Sequence, residues 1–118
     1  MRVPARVKDA QMRLAYRLAV QACLEDYYGQ SAADAHANAD AWWERLSKTS
    51  AFRSGYFMHP DPINTAGEIA DKQIVELNER NYKAYEQLME EIWNLAHNAN
   101  RMEEASPVSV GQAVGVSR

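Results

Sequence analysis

The chain has one cysteine, Cys23, few glycines and prolines, and no long apolar run. Each scarcity excludes something. A lone cysteine cannot close an intrachain disulfide, and without a Cys pair or a His-x3-His spacing the ligands of a structural zinc site are not there. No stretch approaches the roughly 18 apolar residues that cross a bilayer. The opening MRVPARVKDAQMR lacks the apolar centre of a secretion signal, so the expected setting is the cytoplasm, with no membrane partner. Neither a phosphate-cradling glycine loop nor a glycine-bounded nucleophile is present.

What remains is ordinary for a soluble globular protein: 47% hydrophobic and 25% charged residues in 118, enough chain for one domain with one core. Cys23 lies among apolar residues, where it packs as a small hydrophobe. The net charge of -3 is unevenly spread. Residues 1–17 carry Arg2, Arg6, Lys8, Arg13 and Arg17 against Asp9 alone, a net +4 that leaves -7 for the rest. A basic N-terminal helix of this kind either presents a solvated face or is steered toward phosphate or an acidic protein.

The expected fold is all-α, a small bundle of about four helices, two of them long. Pro4 suits a first helical turn and Gly29 a left-handed cap, which predicts a helix over 5–28 with Val7, Ala10, Leu14, Leu18, Ala22 and Leu24 as its apolar stripe. Tyr27 and Tyr28, in its last turn, are expected to cover a core edge with wet hydroxyls. Ser31 followed by Asp34 predicts a capped helix over 32–48, whose alanine-rich first half admits a close neighbour. Trp42 and Trp43 differ by about 100° around that helix, so one of them is expected at the periphery.

The segment TSAFRSGYFMHPDPIN then reads as an irregular connector, 49–64, unusually rich in apolar side chains. It is expected to organise the molecule by folding its aromatics back onto the tryptophans. Thr65 and Glu68 have the spacing of a capping box, predicting a helix over 66–76. An unbroken helix from there to 104 would span roughly 57 Å, so a break at Asn78 and Asn81 is expected, with a second long helix over 79–104 packed antiparallel to the first. Its stripe is Tyr82, Tyr85, Met89, Ile92, Ala96 and Ala99, widened by Leu88 and Trp93. The domain is thus 1–104, and 105–118, with its alternating valines, is an extended or mobile tail.

Three function classes follow. The chemistry-bearing residues cluster in the connector, where Arg53, Ser54, Tyr56, His59 and Asp61 bring a cation, hydroxyls, an imidazole and a carboxylate into one segment. That group lacks a defined nucleophile, so an enzyme with its site in 53–61 ranks last. His36 and Asp40 form at most half a metal site, and in Glu90, Glu91, Asn94 and His97 the asparagine stands where a di-iron bundle needs glutamate. No metal or cofactor is expected. A DNA-binding accessory role would use Arg6, Arg13 and Arg17. The run TAGEIA resembles the opening of a helix-turn-helix, although Glu76, Glu79 and Glu86 then stand where phosphate would repel them. The favoured expectation is a non-enzymatic interaction module or small inhibitor that occupies a protein partner, as such proteins of bacteria and phages do. Its anchors would be Trp42, Trp43, Arg45, Phe52, Arg53, Tyr56, Phe57 and Met58.

Overall fold

The computed structural model describes the backbone of residues 5–105 and the side chains of 9–98. Residues 106–118, most of the expected tail, lie outside it, as do the Arg6 and Ala99 side chains. Among the described residues there are five α-helices and a short 3-10 turn, with no strand. The helices are α1 (Ala5–Asp26), α2 (Ala32–Leu46), α3 (Ser50–Ser54), α4 (Pro62–Ala70) and α5 (Glu79–Ala105), and the turn is Tyr56–Met58. The protein is an all-α small helical bundle.

The organising element is α1 rather than the connector. It packs against α2 and α4 on one side and α5 on the other. Its buried line is Gln11, Ala15, Tyr16, Ala19, Val20, Cys23 and Leu24. The expected stripe was offset: Leu14 is exposed and Leu18 half-buried. A helix covered from two directions buries a wide arc, and apolar spacing alone cannot say where that arc is centred. Alanines permit the close approach, with Ala35 and Ala39 of α2 fully buried. Gln11 bonds His97 at 2.8 Å and Tyr27 meets Tyr85 edge to face at 6.1 Å, so α1 and α5 run antiparallel as expected.

The boundaries follow local chemistry. Gly29, at φ +70°, takes the left-handed conformation expected of it after α1. Ser31 accepts from the Asp34 N–H at 3.1 Å and caps α2. At α5, Asn78 Oδ1 accepts from the N–H groups of Arg80 and Asn81, while Asn81 Oδ1 accepts from Asn78 N–H at 2.7 Å. This reciprocal pair starts α5 where the sequence placed the break.

Two expectations about 49–76 are corrected. The connector is mostly helical: Thr49 caps α3 by accepting from Phe52 N–H at 3.2 Å, Gly55 at φ +83° ends it, and the 3-10 turn follows directly. The fourth helix begins at Pro62, with Pro in its first turn and Asp61 as its N-cap residue, and it stops at left-handed Asp71. Thr65 and Glu68 therefore form no cap. Thr65 is buried inside α4, and the chain from Asp71 to Asn78 has no regular structure instead of turning into a recognition helix, which removes the helix-turn-helix likeness.

Buried tyrosines tie these pieces together. The Tyr28 hydroxyl is dry, not wet: it donates to Ile63 O at 2.9 Å and accepts from Val75 N–H at 3.1 Å. Gly67 lies so close beneath it that a Cβ there would stand 2.7 Å from that oxygen. The Tyr85 hydroxyl accepts from Ile63 N–H at 3.4 Å, one of the donors that the first turn of α4 leaves free. Tyr16 donates to Pro60 O at 2.7 Å, and with its single proton so used it accepts from Thr65 Oγ1, also at 2.7 Å.

Candidate functional site

The aromatics expected to form a partner surface instead pack on one another. Phe57 is only 7% exposed, and its ring meets Tyr16 at 5.6 Å, Trp43 at 5.5 Å and Phe52 at 5.4 Å. Phe57 is therefore a core residue and not an exposed anchor. Trp42 and Trp43 are both half-buried and both contact it, and they meet each other edge to face at 5.5 Å, so neither is turned away. The reason is that α3 and the 3-10 turn wrap around the end of α2 and give both indoles something to cover. Such edge-to-face contacts add about 0.5–1.5 kcal/mol per pair beyond burial. Phe52 and Met58 are half-buried at the rim, whereas Arg45, Arg53 and Tyr56, the last 64% exposed, face solvent.

Two cations of α1 close this cluster. Arg13 donates to Phe52 O at 2.6 Å and Arg53 O at 3.3 Å, pairs with Asp9 at 2.8 Å, and lies over the Phe52 ring at 4.8 Å. It thus bonds two carbonyls at the end of α3, of which Phe52 O also accepts from Gly55 N–H. Arg17 pairs with Asp40 and lies over Trp43 at 5.4 Å. Of the three arginines considered for phosphate, Arg13 and Arg17 are thus engaged within the chain, and the side chain of Arg6 lies outside the described residues.

The residues considered for catalysis do not converge. His59 stacks on Tyr56 at 4.5 Å, and Ser54 Oγ accepts from Tyr56 N–H at 3.2 Å, both near the surface. Among the described residues, no hydrogen bond or ion pair joins His59 to Asp61 or Arg53. His36 Nε2 stands 3.4 Å from Asp40, whose carboxylate also serves Arg17, and no cluster of metal-ligating side chains exists among the described residues. Buried ionisable groups are held neutral. Burial pushes the Cys23 thiol up to about 12 and the Tyr16 phenol up to about 12, the latter against the lowering effect of the Thr65 bond.

A different surface stands out. Between α1 and α5, with Met58 of the 3-10 turn and Pro62 also in its wall, runs an open groove of about 260 Å³ lined by Met12, Tyr16, Met89, Ile92 and Trp93 among others. Met12 is 46% and Trp93 42% exposed. Tyr16 contributes mainly its ring, because its hydroxyl is spent on Pro60 and Thr65. Of the residues expected from sequence to bind a partner, only Met58 belongs to this wall; Met89, Ile92 and Trp93 enter the sequence reading only as the apolar face of α5. The sign that would have found it is the excess apolar width of α5, where Trp93 stands beside the line Tyr85, Met89, Ile92 and Ala96.

The fold and this surface define a class, a small all-α bundle with an apolar groove between its two long helices. Among the described residues no helix is long and apolar enough to cross a membrane. No family model matches the chain, and no curated protein or solved structure is significantly similar to it.

Proposed function

We propose that the protein is a non-enzymatic interaction module that binds a protein partner stoichiometrically, through the groove between α1 and α5. The reading extends to a small inhibitor or adaptor of a bacterium or phage, working in the cytoplasm. The observation that carries it is the methionine-lined groove with Met12 and Trp93 standing 46% and 42% exposed at its wall. Unbranched thioethers repack around different apolar shapes, and tryptophan is the commonest anchor in protein interfaces. The groove has the geometry of a helix-in-groove site, with two helical walls and an apolar floor. Arg45, Arg53 and Tyr56 remain surface residues on the α2 and α3 side and serve as the comparison surface. The engagement of Arg13 and Arg17 within the chain weighs against a DNA-binding role, and the scattered connector residues weigh against catalysis.

The test is affinity capture from the producing cells with wild type, Trp93→Ser, Met12→Ser and Tyr56→Ala, each checked by thermal melting. The expected outcome is a stoichiometric partner that binds wild type and Tyr56→Ala equally and is weakened by roughly 2 kcal/mol by Trp93→Ser. A partner retained fully by both groove variants, or lost only with Tyr56→Ala, would refute the assignment.

A further inference from the structure

From the methionines in its wall we infer that the groove is a site of reversible methionine oxidation: hydrogen peroxide adds oxygen first to Met12 and then to Met58 and Met89, which switches docking off. The switching rests on the docking reading above, whereas the modification does not. The chain has five methionines, and the three whose side chains are described all line this groove, one each from α1, the 3-10 turn and α5. Met12 is the most exposed of the three, while Met58 and Met89 are half-buried, so peroxide meets Met12 first. The lone thiol does not compete. Peroxide is attacked by thiolates, and Cys23 is fully buried with its thiol pushed up to about 12, so at pH 7 about one chain in 10^5 carries the reactive form.

In each step a sulfur lone pair attacks one oxygen of the peroxide. The S–O bond forms as the O–O bond breaks, and the departing hydroxide takes the remaining proton and leaves as water. The thioether thereby loses two electrons and becomes a sulfoxide. Its oxygen is an acceptor in a wall with little to donate: the Tyr16 hydroxyl is spent on Pro60, and among the side chains lining the groove only the Trp93 indole N–H remains. Water therefore stays with the sulfoxides, and covering them with an apolar anchor costs the hydrogen bonds that water makes. A methionine sulfoxide reductase reverses the change with a dithiol, which becomes a disulfide as the oxygen leaves as water.

The modification is tested by treating the full chain with dilute hydrogen peroxide and following each methionine and Cys23 by peptide mass mapping. The expected result is that Met12 oxidises about as fast as it does in urea, Met58 and Met89 about tenfold or more slowly than in urea, and Cys23 not at all while the helical circular dichroism is retained. Oxidation of Met12 no faster than of Met58 and Met89, or of Cys23 alongside Met12, would overturn the assignment. For the switch, catalase removes the peroxide before the partner captured from cells is added. Oxidised protein should bind that partner about tenfold or more weakly, and reductase treatment should restore binding. The triple variant Met12→Leu, Met58→Leu, Met89→Leu, which conserves volume, should bind equally before and after peroxide. A partner held equally by oxidised wild type, or lost to peroxide in the leucine variant as well, would overturn the switch. If capture yields no partner that depends on the groove, the docking reading fails and the switch falls with it, while the mapping still decides the modification.

Discussion

At the residue scale, polar atoms at the centre of the molecule do what an apolar core cannot, which is to fix the relative positions of elements. Tyr16 shows this: one phenol on α1 holds the carbonyl before α4 and a hydroxyl inside α4, each at 2.7 Å. Tyr16→Phe keeps the ring and its contacts with Phe57 and Trp42 but leaves Pro60 O and the Thr65 hydroxyl without this partner. The expected loss is about 1–3 kcal/mol of unfolding free energy, measured by urea denaturation. A loss within error would mean that water replaces the phenol. Tyrosine at position 16 is legible in the sequence as an apolar residue on a helix, but its partners are 44 and 49 positions away and no local pattern announces them.

At the scale of elements, the surprise lies in 49–64. Glycine, two prolines and aromatic residues read as an irregular loop because each breaker is locally real: Gly55 does end α3 and Pro62 does begin α4. What reverses the reading is that capped helical turns fit between the breakers, and Phe57 pins them against Trp43 and Tyr16. Helices as short as α3 are marginal alone and exist through such packing. Phe57→Ala should therefore cost about 3–5 kcal/mol, the usual result of emptying a buried phenylalanine site. Hydrogen exchange should show α3 losing protection before α5 does. Phe57→Leu, which refills most of the space, should recover a large part of the loss. A Phe57→Ala protein as stable as wild type would return the ring to the surface.

At the scale of the whole molecule, the groups buried around α1 make stability depend on alkaline pH. Burial raises the Cys23 thiol from 9.0 to about 12 and the Tyr16 phenol from 10.0 to about 12. Both are neutral when protonated, so above pH 9 the unfolded chain releases protons that the native state keeps. Stability is fully present below about pH 9 and falls progressively as pH rises toward 12. The urea midpoint should decline across that window, and Cys23→Ala should flatten the part of the decline nearest pH 9. The thiol of wild type should react with a thiol-specific dye only as fast as the protein opens. Fast labelling under native conditions would contradict its burial.

The sequence by itself determined the helices that carry their own punctuation. Ser31, the Asn78 and Asn81 pair and Gly29 act within one turn of their own positions, so the start of α2, the start of α5 and the end of α1 could be read directly. It also implied the antiparallel pairing of the two long helices, because both have apolar faces too long to leave wet. Tertiary structure alone decided which face of α1 is buried, that both tryptophans share one aromatic cluster, and that Arg13 and Arg17 are turned inward upon it. It decided the groove as well, because Met12, Met58 and Met89 come from three separate elements and share no spacing. A cap is a contact between near neighbours in the chain and leaves a local signature, whereas a groove is the gap left between elements after they pack, and its shape depends on every helix that bounds it.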